Sequence, residues 1–519
     1  MKKTSFLIVL AVPVLVCGCS KKGGSDGGNK PPFEVPVVDV SSIQITQPTP
    51  MAVDTTSAVK QVGGKDVIDL YEMSDMHAMI DYNTSSDKGY FGFSGLANFI
   101  KDKRDSNPGT ILLSSGDMWQ GGAESNLTQG KIVAEAMRYV GFESMALGNH
   151  EFDWGKDILK RNSDYFKTDM PLLAGNLAYK SDGSMPEFVQ GTKIVERGGY
   201  KVGIIGTIGD NVEYSIGKSV FFEFKLNSSY DYANEAANKL KNEEHCDVVV
   251  WTSHESAEKA SVPPNVDAFF GGHEHKDWDL NKGGIPALAT RNYGINIAHV
   301  QISIDPSTKE VVGRTGELIK GADNLAYLKD ETNVKNLFDQ YRVETDKAKQ
   351  YVLNKVKGTF GKSNELADLS TKAMFDAYKD ENSIWAFQNG NGGVRTDISG
   401  TVTYGDIYTA FPFDNEIVRF EIKGSDLKDF WYNSKYDNPR NLNIYCPAKS
   451  YSEYDTSKTY NIITTDYVCT NVLHMEENEF TRFAGTVIRD CVAKYIYENN
   501  NLNSEDYKRS LQCFMRPAN

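Results

Sequence analysis

Between Lys65 and Glu317 the chain repeats one pattern: a short apolar run that stops at a residue able to hold a metal ion. The run 67–71 leads to Asp75 and His77, the run 110–113 to Gly116-Asp117, and the run 144–147 to Asn149-His150. The run 247–251 then leads to His254, and 266–270 to Gly272-His273-Glu274-His275. Apolar runs of this length, bounded by turn residues, read as buried strands. Helical spacing appears between some of them. Ala233, Ala236, Ala237 and Leu240 share one face over 232–244, and 132–139 is a second candidate. Strands alternating with helices predict an α/β body with buried sheets. In open α/β sheets ligands sit beyond the strand ends, so tips spread over about 200 residues have a structural reason to converge.

The residues at those tips set the chemistry. Asp75, His77, Asp117, Asn149, His254, His273 and His275 offer carboxylate, amide and imidazole donors together. That mixture suits Mn, Fe, Co or Zn better than calcium, which takes oxygen ligands only. Two such ions about 3.5–4 Å apart need a bridging carboxylate and can hold a hydroxide between them. Asp117, the lone carboxylate of its motif, is the natural bridge. His150 is followed three residues later by Asp153, close enough to hydrogen-bond its ring. Singly, each of these residues reads as a cap or a satisfied core histidine. Together they point to a hydrolase with two divalent ions.

The N-terminus carries Lys2 and Lys3, an apolar run over 6–16, then Cys17-Gly18-Cys19. This predicts a secretory signal over 1–19, shorter than the roughly 20 residues of a membrane span. It resembles the bacterial lipobox, which implies lipidation at Cys19 and an exported protein anchored to a bacterial membrane. Residues 20–64, rich in Gly and Ser and then in Pro, predict a flexible tether. About 455 residues remain, enough for two or three domains. The formal charge of −14 argues against a nucleic-acid polymer as partner but leaves room for a small anionic ester held by metal ions. Cys246, Cys446, Cys469, Cys491 and Cys513 form no C-x-x-C pair and are odd in number, which leaves one or two C-terminal disulfides open.

In this order D-x-H, G-D, G-N-H-E-x-D, H and G-H-x-H resemble the calcineurin-like metallophosphoesterases, and more closely the bacterial 5'-nucleotidase family over residues 66–519. The resemblance implies a four-layer α/β/β/α domain over 65–323, a connecting helix over 324–357 and an α+β substrate-binding domain over 358–519. It implies that Asp75, His77, Asp117 and His275 hold one ion, and that Asp117, Asn149, His254 and His273 hold the other. His150 would then act outside the coordination sphere, stabilising transition-state charge or protonating the leaving oxygen, with Asp153 orienting it.

In the second domain Asn389 to Arg395 resembles the family's N-x-G-G-x-R loop, where glycines admit an anion closely and the Arg grips phosphate. Phe413-Asp414-Asn415 resembles P-F-x-N, whose Phe stacks on a nucleobase; a core role for Phe413 is the competing reading. These matches make Asn389, Arg395, Phe413 and Asn415 the expected substrate contacts. Two departures stand out. No Arg lies near 361–369, and no Gly occurs between Gly424 and Gly485, so the family's late G-G-D-G-[FY] loop cannot be built the same way. Half of the base clamp is therefore missing or rebuilt around 465–472. The expected function is hydrolysis of nucleotide-type phosphate esters. Its rivals are the same chemistry on cyclic nucleotides, nucleotide sugars or sugar phosphates, and a surface metal-binding protein without turnover.

Overall fold

Each apolar run becomes a strand of one of two sheets. In chain order these are β1 (Lys65–Glu72), β2 (Thr110–Ser114), β3 (Ser144–Ala146), β4 (Leu172–Leu173), β5 (Thr192–Arg197) and β6 (Tyr200–Ile208). Then follow β7 (Val248–His254), β8 (Ala268–Gly271), β9 (Trp278–Lys282), β10 (Ile285–Ala289), β11 (Asn296–Ile304) and β12 (Val311–Lys320). The first sheet has the order β12-β11-β1-β2-β3-β4 and the second β9-β10-β8-β7-β6-β5. The computed structural model describes residues 31–507 apart from 41–42, 85–87, 167–169, 433–441, 448–452 and 477, and one compact unit begins at Val35. The signal segment and Cys19 lie outside the described residues.

Because successive strand residues face opposite ways, each sheet has two buried faces. Ile68, Leu70, Ile111 and Leu113 meet Val202, Ile204, Val248, Val250 and Phe270 in one apolar layer between the sheets. On the outer face of the first sheet Leu112 and Met145 meet α1 (Gly92–Ser106) and α2 (Lys131–Val140). On the outer face of the second, Val249, Trp251 and Phe269 meet Ala233, Ala236, Ala237 and Leu240 of α3 (Ser229–Asn242), the face read from the sequence. The result is helix, sheet, sheet, helix. In both sheets the ligand-bearing strands run parallel, so their C-terminal ends share one edge.

The helix α4 (Thr332–Lys349) buries Leu337, Phe338, Tyr341 and Thr345 and packs against helices of both halves. Beyond it a five-stranded sheet, Asn443–Tyr445, Ser383–Gln388, Thr459–Thr465, Glu416–Lys423 and Phe480–Val487 in spatial order, surrounds a core of Trp385, Phe387, Val418, Phe420 and Ile462. Cys446 is disulfide-bonded, Cys246 and Cys491 are buried free thiols, and Cys469 is buried.

One expectation needs correction. The tether does not run free to residue 64. Ile43 and Val59 are buried, the Met51 N–H donates to Tyr139 O at 2.8 Å, and Thr55 O accepts from Gly198 N–H. Composition pointed to flexibility, but single apolar residues among the prolines find pockets on the body, which composition alone cannot register.

Candidate metal centre

The predicted ligands converge at the shared sheet edge. Groups of their ligand atoms lie within 4.8 Å of one another: Asp75 with His77 and His275, and Asp117 with His254 and His273. Asp117 links the two groups, its Oδ2 lying 3.1 Å from His254 Nε2 and 4.0 Å from His77 Nε2. His275 Nε2 lies 2.9 Å from His77 Nε2 and 3.4 Å from Asp75 Oδ1, and His273 Nδ1 lies 3.0 Å from Asn149 Oδ1.

The backbone is strained to achieve this. Five of the seven expected ligands hold left-handed φ angles: Asp75 at 51°, His77 at 45°, Asp117 at 54°, His273 at 75° and His275 at 55°. Residues other than glycine rarely sit there, and such outliers concentrate at functional sites. Close approach does the rest. A Cβ on Gly148 would fall 2.2 Å from Asp117 Oδ1, and one on Gly272 2.9 Å from Asp75 Oδ2.

The donor set fits divalent ions on observations independent of motif. His77 Nδ1 donates to Gln120 O at 3.1 Å and His254 Nδ1 to Ser115 O at 2.7 Å, which leaves each Nε2 aimed into the cluster. His254 Nε2 is buried and faces only the Asp117 carboxylate, 3.1 Å away, so that the two would share an ion as neighbouring ligand atoms. Burial pushes the His77 imidazole down to about 3 and that of His273 to about 4, keeping both neutral; burial opposes charge on the His254 ring as well, but the Asp117 carboxylate beside it holds that ring up at about 10. Burial pushes the Asp117 carboxyl up, yet the His254, His150 and His77 rings hold it well below the usual carboxylate range. The neutral His77 and His273 rings and the ionised Asp117 carboxylate are species that bind metal, while the His254 ring would give up its proton on binding.

His150 stands against the cluster, a ring nitrogen lying within 4.8 Å of ligand atoms of His77 and Asp117. Its Nδ1 lies 2.9 Å from Asp153 Oδ2, as the spacing predicted, and its backbone N–H donates to Asp117 Oδ1 at 2.9 Å. Burial opposes charge on this ring, but Asp153 and Asp117 hold it above its ordinary value. Its Nε2 lies 3.4 Å from an Arg395 nitrogen. Its ring stacks on Phe413 at 5.4 Å, and the Arg395 guanidinium lies 5.2 Å from the same ring.

A cavity of about 300 Å³ opens over these groups. Asn389, Arg395, Phe413 and Asn415 all line it, together with Asp117, Asn149, His150, Asp153, His273 and His275. Asp75, His77 and His254 lie beneath it, buried. Phe413 is only half-buried at this wall, so its core reading is set aside; Phe411, two residues earlier, is the core aromatic.

Three contributors escaped the sequence reading. Asp466 and Tyr467 reach the cavity from the stretch that lacks the glycine loop, so a second aromatic is present without that loop. Ser215, Gly217, Ser219 and Val220 form a further wall. Glu151, inside the G-N-H-E-F-D motif, turns inward and accepts backbone N–H groups from residues 117, 118, 119 and 148. A buried glutamate announces a need for donors, but backbone donors leave no mark in a sequence.

Comparison with known proteins matches both halves of the chain. The calcineurin-like phosphoesterase family matches residues 70–277, and the 5'-nucleotidase C-terminal domain matches 345–445. Endonuclease YhcR of Bacillus subtilis is 26% identical over 399 residues, 69% of this chain and 32% of that protein. The chain thus spans about a third of that relative's length. A probable 5'-nucleotidase of Treponema pallidum is 24% identical over 65% of this chain and 68% of its own. Among solved structures, a 5'-nucleotidase precursor from Thermus thermophilus superposes with a TM-score of 0.67 at 20% identity, covering 83% of this chain and 96% of that one. A putative 5'-nucleotidase from Staphylococcus aureus gives 0.63 at 15% identity, over 84% and 100%. At these identities the structural likeness speaks for the fold.

Proposed function

The chain belongs to the calcineurin-like phosphoesterases that carry a 5'-nucleotidase C-terminal domain, and on that premise we propose that it hydrolyses nucleotide-type phosphate monoesters. The observation that carries the reading is Asp117, whose single carboxylate faces both ligand groups while His150 and Arg395 face the same cavity. Asp75, His77, Asp117 and His275 would hold one divalent ion, and Asp117, Asn149, His254 and His273 the other. When bound, such ions supply Lewis acidity and a water acidic enough to serve as nucleophile near neutral pH.

The chain's own groups do the remaining work. Asp153 fixes the His150 tautomer through Nδ1 and leaves Nε2 toward the cavity. A proton on Nε2 and the Arg395 guanidinium exclude each other at 3.4 Å, since both are donors. A phosphoryl group between them satisfies both: Arg395 grips an equatorial oxygen, and His150 gives its proton to the departing ester oxygen. Phe413 and Tyr467 offer ring faces to the base, and Asn389 and Asn415 offer amides to the rest of the nucleoside. Export and anchoring through Cys19 complete the proposal; Cys19→Ala should move the protein from the membrane to the soluble fraction of a bacterial host. Among the described residues no helix is long and apolar enough to cross a membrane.

The test is kcat/KM for 5'-monophosphates, cyclic nucleotides, nucleotide sugars and sugar phosphates side by side. The reading predicts that 5'-monophosphates lead. A tenfold lead for cyclic diesters or sugar phosphates would overturn it.

A further inference from the structure

One wall of the cavity belongs neither to the metal cluster nor to the expected substrate loops. It comes from residues 209–223, between β6 and α3. The segment contains one 3-10 turn, Val212–Ser215, and one helical turn, Lys218–Phe221, and it presents Ser215, Gly217, Ser219 and Val220 to the cavity. Its outer aromatics are left in water: Tyr214 is 76% exposed and Phe222 67%. Its two ends are rooted in the first half of the chain. The Gly209 N–H donates to His254 O, Asp210 accepts from the Ser229 N–H at 2.6 Å, and Phe221 packs on Phe152 at 5.1 Å.

The middle buries Val212 and Ile216 in the core of the first half and is held from the second half as well. Asn471 Nδ2 donates to Tyr214 O at 3.1 Å and to Ile216 O at 3.0 Å, across more than 250 residues of sequence. Its Oδ1 lies 2.7 Å from the Thr470 hydroxyl, whose one hydrogen is shared with Asp466 O at 2.9 Å, and this contact supports the orientation that the two carbonyls require of the amide. Asn471 belongs to the single turn Val468–Val472 that follows Tyr467. The stretch that puts the second aromatic into the cavity therefore also grips this wall. An amide suits this task because one planar NH₂ group offers two hydrogens to two carbonyls. A carboxylate of the same shape would face both carbonyls with like partial charge.

We propose that Asn471 is a positioning residue that fastens the 209–223 segment as a specificity wall for ligands reaching from the metal cluster to the second half of the chain. A nucleotide is then held between Ser215–Val220 on one side and Phe413 and Tyr467 on the other. A small aryl phosphate engages the metal edge and Arg395 without needing that wall. The inference rests on the phosphoesterase reading above but assigns a role outside the metal and phosphate contacts.

Asn471→Asp is the isosteric test. Kinetics with adenosine monophosphate and p-nitrophenyl phosphate are measured beside limited proteolysis within 209–223 and the melting temperature. The variant should raise KM for the nucleotide about tenfold while kcat and p-nitrophenyl phosphate turnover stay within about twofold. Cleavage within the segment should accelerate without a matching fall in melting temperature. Equal losses on both substrates, or cleavage no faster than in the wild type, would overturn the proposal. Should Asn471→Asp not fold, Thr470→Val, which frees the amide to turn, must show a weaker form of the same split and the same faster cleavage. If the wild type itself handles the nucleotide no better than the aryl ester, the substrate reading falls, and the proteolysis comparison decides the fastening by itself.

Discussion

Replacing Glu151 by glutamine keeps the shape of a side chain that is 1% exposed and removes two of its acceptor contacts. Oε2 accepts the N–H groups of Asp117 and Gly148, each at 2.8 Å; Oε1 accepts those of Met118 at 3.0 Å and Trp119 at 3.4 Å. Whichever way the new amide turns, its NH₂ faces two of these donors. Burial and the Asp117 charge push the Glu151 carboxyl up to about 7, so the comparison is made above that pH, where it is ionised: at about 1.5–3 kcal/mol for a hydrogen bond to a charged group, the loss comes to about 3–6 kcal/mol. The affected N–H groups flank the left-handed backbone at Asp117 and the turn that delivers Asn149, so the penalty falls where the ligands are aimed. If expressed at the site, that energy corresponds to about 10²–10⁴ in metal affinity and kcat/KM together. The assay is metal content after gel filtration, alongside turnover and melting with and without added divalent ion. A Glu151→Gln protein with wild-type metal content and rate would show that these backbone bonds do not position Asp117.

Two further outcomes follow from other parts of the chain. Tyr467→Ala and Phe413→Ala should each lower kcat/KM for 5'-monophosphates by about 0.5–1.5 kcal/mol, roughly two- to twelvefold, while sparing p-nitrophenyl phosphate; unchanged ratios would remove both rings from the base site. His299 sits between Asp69 at 2.9 Å and Glu317 at 3.0 Å; burial opposes its charge, but these carboxylates hold it above its ordinary value. Its stabilisation is therefore present below the unfolded pKa of about 6.5 and is lost as pH rises through the raised folded value. His299→Ala should lower stability by about 1–3 kcal/mol at acidic pH and less above that value; a melting-temperature deficit that does not change with pH contradicts the charge assignment.

Much of the site was legible because its chemistry sits on parallel strand ends. Asp75, Asp117, Asn149, His254 and His273 announce themselves by residue type, and sheet topology supplies the convergence. The His150–Asp153 contact followed from spacing alone. Long-range backbone contacts were not legible. Glu151 binds peptide N–H groups, Asn471 binds peptide carbonyls, and neither partner has a side-chain identity to read. Tyr467 is hidden for a different reason: without the glycine loop, it reaches the same cavity from the start of a helical turn, a geometry that the motif does not encode. The tether misled because apolar contacts as sparse as Ile43 and Val59 do not alter composition enough to show.

The central claim is that one carboxylate joins two ions while the neighbouring histidine acts without binding either. Metal content per chain, measured on the purified wild type, Asp117→Asn and His150→Ala, tests it most directly. The account predicts roughly two divalent ions in the wild type, loss of both with activity in Asp117→Asn, and retention of both in His150→Ala with a rate lower by about 10²–10⁴. An Asp117→Asn protein that keeps a full complement of metal, or a His150→Ala protein that loses it, would contradict the account.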